Sequence, residues 1–290
     1  MKTFLSPAKI NWWLRVLDRR PDGFHNIETV FQEIDLHDTL EVEALAGIPE
    51  CRIEGMPDDV PPESNLITKA WQLLRTRYPA RVGGVRFRVQ KRIPMGGGLG
   101  GGSSNAATAL KAMAQIFELG LSVDELRILA GELGSDTAFF ITGGCAIGGG
   151  RGEILEHVES PPPIPLVLVF PTEGVSTAWA YGQLSKVPRP SPAITLENFL
   201  KVLHTGDPSA VAQKVHNDFE LVVERQPWFL EARKALLDAG CAGAFLTGSG
   251  STVVGILQKN ESSSEIARTL QHTLSLKVHV TLSGRPLGRL

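Results

Sequence analysis

Ile93-Pro94-Met95-Gly96-Gly97-Gly98-Leu99-Gly100-Gly101-Gly102-Ser103-Ser104-Asn105 is the stretch on which the reading of this chain turns. Before it, Val85, Phe87 and Val89 alternate with Arg86, Arg88 and Gln90, the pattern of a half-exposed strand. After it, Ala106, Leu110, Met113, Ala114 and Phe117 recur at helical spacing. The order is therefore strand, glycine loop, helix. Glycine lets backbone N–H groups approach an anion with no Cβ in the way. A helix start adds unpaired donors and the positive end of the dipole. Ser103 and Ser104 can cap the helix, or ligate a phosphate or its metal. Together these features predict a polyphosphate cradle over residues 94–104. A flexible linker needs neither the strand nor the Ala-rich helix.

Two named phosphate loops fail on spacing. A Walker A loop ends in Gly-Lys-Ser/Thr, and no lysine precedes Ser103. Gly96, Gly98 and Gly101 formally match GxGxxG, but an acid-bearing parallel strand should then follow the helix. Instead Ser122 to Leu133 reads as another helix, with Ser122 and Glu125 as a capping box and Gly134 as its stop.

Working outward, the chain has 290 residues and 30 glycines, where ordinary usage predicts about 20. Residues 143–152 hold a second glycine-rich run, read as close packing or a turn between strands, with no ligand assigned and Cys145 inert. Hydrophobic content of 42% supplies a core, and a net charge of −2 argues against a broad nucleic-acid surface. No apolar stretch is long enough to span a membrane, and MKTFLSPAKI lacks the apolar region of a signal peptide. Three cysteines, far apart and without CxxC, argue against a disulfide framework or a zinc site. A cytoplasmic monomer or weak homodimer is expected.

Residues 8–17 alternate as a strand, with Ala8, Ile10, Trp12, Leu14 and Val16 on one face and Lys9, Asn11, Trp13 and Arg15 on the other. Pro21-Asp22-Gly23 is a turn. Leu40, Val42 and Ala44 point inward from another strand, and residues 64–75 read as a helix. The proline run at 160–165 is a linker, dividing the chain into 1–160 and 161–290. In the second part, strands at 166–170, 244–247, 252–257 and 277–282 mix with helices at 227–240 and 264–274. Strands and helices mix without strict alternation, so the class is α+β.

The loop, followed by a helix of small residues, resembles that of the GHMP kinase superfamily, which includes galactokinase, homoserine kinase and mevalonate kinase. Its longer form, Gly98 to Ala107, is similar to the branch that phosphorylates 4-diphosphocytidyl-2-C-methyl-D-erythritol in non-mevalonate isoprenoid precursor synthesis. Three further segments resemble that branch in the same order: Ser6-Pro7-Ala8-Lys9-Ile10-Asn11 with Arg19-Arg20-Pro21-Asp22-Gly23-Phe24-His25, Gly134-Ser135-Asp136-Thr137-Ala138-Phe139-Phe140, and Thr247-Gly248-Ser249-Gly250-Ser251. The chain departs from it at Thr137-Ala138, where Val-Pro is usual, at Phe24, where Tyr is usual, and at the bulky Trp12-Trp13 pair.

The resemblance implies a two-domain fold with mixed sheets covered by helices and a cleft between the domains. It implies ATP, with Mg²⁺ arriving on the nucleotide and no permanent metal site. Pro94, Met95, Gly96, Gly97, Gly98, Leu99, Gly100, Gly101, Gly102, Ser103 and Ser104 would hold the phosphates. Asn65, otherwise a plain helix N-cap, would lie near the adenine. Asp136, by itself an ordinary turn former, would be the general base or positioner for the attacking hydroxyl. Lys9, otherwise part of a solvated strand face, would offset developing charge. Asn11 would bind the substrate, His25 would hydrogen-bond the cytosine ring, and Phe24 and Tyr181 would stack on it. Gly248 and Ser249, otherwise a plain hairpin, would close over the ligand. Two alternatives stay open: another small-molecule kinase of the superfamily, and a non-catalytic nucleotide-binding module marked by a basic face and lost catalytic residues.

Overall fold

The computed structural model describes residues 1–47, 49–56, 61, 63–258, 263–274 and 276–284. The chain opens with two long strands, β1 (Lys2–Arg19) and β2 (His25–Leu45), joined by the Pro21-Asp22-Gly23 turn. Then come β3 (Cys51–Glu54), α1 (Leu66–Arg77), β4 (Gly84–Gln90), α2 (Gly101–Ile116), α3 (Val123–Leu133), α4 (Phe139–Thr142) and the hairpin β5 (Cys145–Gly149) with β6 (Ile154–Val158). The second half begins with β7 (Pro165–Phe170), α5 (Thr177–Leu184), α6 (Leu196–Leu203), α7 (Pro208–Ala212), β8 (His216–Asn217) and α8 (Glu220–Val223). It ends with α9 (Pro227–Asp238), β9 (Gly243–Leu246), β10 (Val253–Ile256), α10 (Ser263–Leu274) and β11 (Lys277–Leu282).

Two sheets result, and the class is α+β. The larger has the order β3-β4-β2-β1-β8, with β5 also on β2 and β6 on β5. The smaller, β11-β7-β10-β9, is wholly antiparallel. In the first half α1, α2 and α3 pack on the larger sheet through Ala70, Leu74, Ala109, Leu110, Met113 and Leu129. The small residues of α2 let it lie close to the strands. Among the described residues no helix is long and apolar enough to cross a membrane.

Several local readings hold. Asn65 caps α1, its Oδ1 accepting from Ile67 N at 2.9 Å. Ser122 and Glu125 form the capping box of α3, and Gly134 ends that helix. Val85, Phe87 and Val89 are buried.

Others are corrected. Helix α2 begins at Gly101, inside the glycine run, so Ser103 and Ser104 occupy its first turn and do not cap it. Ala44 is exposed, one residue before the end of β2. Residues 25–38, whose polar and apolar residues follow no clean alternation, are strand because β1 and β5 both pair with them.

The first strand departs most from its pattern. Its pairing with β2 shifts register between Asn11 and Trp13, a bulge that moves the following side chains to the other face. Lys9 and Asn11 are buried at 3% and 1% exposure, not solvated. Trp13 joins Ala8, Ile10 and Trp12 in one apolar cluster, while Leu14 and Val16 join another that belongs to the second half. Trp12 stacks on Phe245 of β9 at 5.5 Å, and Trp13 lies 5.3 Å from Phe199 of α6. Bulk in this pair is accommodated because it fills the seam between the halves.

Trp12→Ala should therefore cost about 3–5 kcal/mol. Chemical denaturation of the variant tests this, and an unchanged midpoint would show that the seam is not held by this ring.

Candidate active site

A cavity of about 960 Å³ lies along the seam. One wall is the glycine loop. The others are Lys9 and Asn11 of β1, the turn at Gly23-Phe24-His25, Ser135 and Asp136 after α3, Tyr181 of α5, and Gly248-Ser249 between β9 and β10.

The loop is held at both ends and in the middle. Asp38, fully buried, accepts from Arg92 N at 2.7 Å and Ile93 N at 2.9 Å, fixing the entry. The same carboxylate pairs with Lys91 and accepts from Asn105 Nδ2 at 2.9 Å, tying in the first turns of α2. Lys9 N donates to Leu99 O at 3.0 Å, and Thr252 N donates to Gly97 O at 3.3 Å. The second glycine loop rests directly on the first. A methyl group on Gly98 would lie 2.4 Å from Thr247 O, and Gly98 has φ +77°. Only glycine fits such a position. The early N–H groups of α2 then face the cavity with the positive end of the helix behind them.

Facing the loop is a charged pair. Lys9 Nζ lies 3.3 Å from Asp136 Oδ2 and donates to Asn11 Oδ1 at 2.7 Å. Asn11 Nδ2 donates to Thr29 Oγ1 at 2.7 Å, which donates to Trp13 O at 2.6 Å. Asn11, expected to contact substrate, lines the cavity with its amide oxygen on Lys9 and its amide nitrogen on Thr29. Asp136 is held in a turn in which Thr137 N donates to Gly134 O at 3.1 Å, and its side chain is 32% exposed. It is the half of the pair open to the cavity.

The far end is aromatic. His25 stacks on Tyr181 with ring centroids 5.2 Å apart, and Tyr181 meets Phe219 edge-on at 4.9 Å. Burial, then the charges of Arg189 and Arg19, hold His25 below its ordinary pKa. It is thus neutral near pH 7, with one ring nitrogen donating and the other accepting. Burial, and next the Asp136 charge, push the Tyr181 phenol up to about 12, so it stays protonated. Phe24 is half exposed at the cavity mouth.

Of the sequence-predicted residues, Lys9, Asn11, Phe24, His25, Asp136, Tyr181, Gly248, Ser249 and all of Pro94 to Ser103 line this cavity. Two are turned elsewhere. Ser104 is fully buried, its Oγ 2.8 Å from Ser6 Oγ, because the fourth residue of α2 faces the sheet. Asn65 is occupied as a cap, and its neighbour Leu66 reaches the wall.

Sequence reasoning missed Asp38 and Lys91, and nothing in their local pattern marks them. It also missed Arg151, which sits in the second glycine run. That run forms the β5–β6 hairpin, where a methyl on Gly148 would lie 2.7 Å from Phe31. Cys145 there is buried and its thiol pushed up to about 12.

Comparison with known proteins shows the family. The profiles for "GHMP kinases N terminal domain" and "GHMP kinases C terminal" match residues 65–144 and 196–276. The fold is that of a GHMP small-molecule kinase, a class that uses ATP. A 4-diphosphocytidyl-2-C-methyl-D-erythritol kinase of Pelotomaculum thermopropionicum is 41% identical over 274 residues, 93% of this chain and 94% of the relative. The chain belongs to that kinase family. A crystal structure of 4-(cytidine 5'-diphospho)-2C-methyl-D-erythritol kinase superposes with a TM-score of 0.82 at 31% identity, covering 98% of this chain and 100% of the other. Homoserine kinase from Cytophaga hutchinsonii shares the fold at TM-score 0.71 and 19% identity, over 98% and 95% of the two chains.

Gly98→Ala should force the two glycine loops apart. Nucleotide affinity measured by calorimetry is expected to fall at least tenfold, while far-ultraviolet circular dichroism stays that of the parent. Parental affinity would mean that the loop contact does not shape the phosphate site.

Proposed function

We propose that this chain transfers the γ-phosphoryl group of ATP to the 2-hydroxyl of 4-diphosphocytidyl-2-C-methyl-D-erythritol, in non-mevalonate isoprenoid precursor synthesis. The observation that carries the reading is the Lys9–Asp136 pair, 3.3 Å apart and facing the glycine loop across one cavity. The parts 1–160 and 161–290 act as the two domains that border this cavity. A reducing cytoplasm suits its free cysteines.

Phosphoryl transfer needs little covalent work from the protein; positioning and charge stabilisation dominate. The loop N–H groups and the start of α2 hold the phosphates from Pro94 to Ser103. Magnesium would enter with ATP as part of the substrate, and Ser103, on the cavity lining, is the loop residue whose hydroxyl would meet it. Asp136 accepts the proton of the attacking hydroxyl or orients it. Lys9, kept in place by Asn11, lowers the pKa of that hydroxyl and offsets charge on the transferred group.

Phe24, His25 and Tyr181 account for the acceptor. A neutral imidazole offers the donor and acceptor that the edge of a cytosine needs, and two aromatic rings offer stacking surface. Homoserine and mevalonate have no ring to use this end of the cavity. An acceptor panel in a coupled ADP assay separates the readings: turnover of homoserine or mevalonate, with none of the cytidine compound, reverses the choice. ATP-dependent product of any kind dismisses a non-catalytic role.

Two outcomes follow from these roles. Asp136→Asn should fold normally and lose at least about a hundredfold in kcat, the scale of a lost general base. Near-normal turnover would remove Asp136 from the mechanism. The KM for the cytidine substrate should be flat above the ordinary histidine pKa of about 6.5 and rise as pH falls through the lower value of His25. The folded state holds this ring neutral, so its contribution to stability is also present above the unfolded pKa and lost on acidification. His25→Gln should remove the acid limb of the KM profile; an identical limb in the variant would assign it to another group.

A further inference from the structure

Asn217 stands behind the cavity wall and reaches the site through the second glycine loop. The residue is 5% exposed, and its side chain bonds only to backbone. Oδ1 accepts from Phe219 N at 3.0 Å, which closes a local turn. Nδ2 donates to Leu246 O at 2.8 Å and to Gly248 O at 2.9 Å. Both amide protons thus go to the carbonyls of the two residues flanking Thr247. A local turn needs only the acceptor, which Asp or Ser also supplies. Asparagine is the short side chain that accepts once and donates twice at the same time.

Thr247 is where the two glycine loops meet. Its carbonyl oxygen lies 2.4 Å from the place of a methyl on Gly98, and its Oγ1 accepts from Asn11 N at 2.9 Å. Glu220 Oε1 accepts from Leu246 N at 2.8 Å, so Leu246 is gripped at both its amide and its carbonyl by residues 217 and 220. The grip is anchored on the first strand. Residues 216 and 217 pair with Trp13 and Leu14 of β1. Asp218 N donates to Leu14 O at 2.9 Å, and Asp218 Oδ2 accepts from Val16 N at 2.7 Å. The strand that carries Lys9 is therefore joined by one amide to the loop that presents Gly248 and Ser249 to the cavity.

We infer that Asn217 is a positioning residue for phosphoryl transfer: it sets the height of the second glycine loop over the phosphate loop, and the phosphate site takes its shape from that height. This rests on the reading of the chain as an ATP-dependent kinase. Asn217 meets no ligand itself; it acts through Thr247 and Gly248.

The test is calorimetry on the full chain with two probes, the Mg²⁺ complex of the β,γ-imido analogue of ATP and cytidine. Asn217→Asp keeps the size and the bond from Phe219 N, and turns a carboxylate toward two carbonyls. Asn217→Ser keeps the turn through its hydroxyl but reaches neither carbonyl, and it brings no charge into the interior, so it decides the matter if the first variant does not fold. The nucleotide analogue should weaken about tenfold or more in Asn217→Asp and by less in Asn217→Ser, the scale of buried carbonyls left unpaired. Cytidine should bind both variants as it binds the native protein. In turnover kcat should fall and the KM for ATP rise, with the KM for the cytidine substrate unchanged. A lower unfolding midpoint with parental nucleotide affinity and kcat would make Asn217 a purely structural residue and overturn the inference. Equal weakening of nucleotide and cytidine would overturn it too. If the native protein binds no nucleotide, the kinase reading itself fails and takes this inference with it.

Discussion

Gly98 and Gly248 meet backbone to backbone, with no room for a side chain on either. A methyl on Gly248 would lie 2.9 Å from Gly98 O, and one on Gly98 would lie 2.4 Å from Thr247 O. Most of the site depends on this contact. It brings a loop of the smaller sheet onto a loop of the larger one. It also lets Thr252 N bond Gly97 O, and it sits beside Asn11 N, which donates to Thr247 Oγ1 at 2.9 Å. The phosphate loop is thus a joint between two sheets as well as an anion cradle.

Charge is arranged around that joint in two layers. Behind the loop, Asp38 is fully buried and pairs with Lys91, which reaches the cavity lining. Such a pair adds little net stability, but losing one partner leaves the other charge uncompensated. Its effect is to fix where the loop begins and where α2 starts. In front of the loop, Lys9 is as deeply buried, yet its partner Asp136 remains open to the cavity. The difference in exposure separates a structural ion pair from one that can meet a substrate.

How far the sequence could be read depended on the range of the interaction involved. Local chemistry was legible: the capping box of Ser122 and Glu125, the alternation of Val85, Phe87 and Val89, and the glycines of the phosphate loop all act within a few residues. The burial of Lys9 was not, since Leu99, Phe31 and Asp136, which lie against it, are distant in sequence. Nor was the face change at Trp13, because a bulge depends on the partner strand. Arg151 lay in plain view, but its place over Phe24 and on the cavity wall comes only with the fold. Resemblance supplied Asp136 and His25 as candidates, and their geometry came only with the fold.

The two-residue strand β8 has a consequence for synthesis of the chain. It pairs in parallel with β1 at Trp13 and Leu14, so the larger sheet is completed by residues 216–217. The preceding strand of that sheet, β6, ends at Val158. At about 5–20 residues per second, the ribosome takes roughly 3–12 s to make the segment between them. For that interval the first half carries an open sheet edge; its two indole rings wait for Phe199 until late in the interval and for Phe245 until after it. The nascent chain is therefore most exposed to chaperone capture or misassociation while the proline run and α5 to α7 are being made.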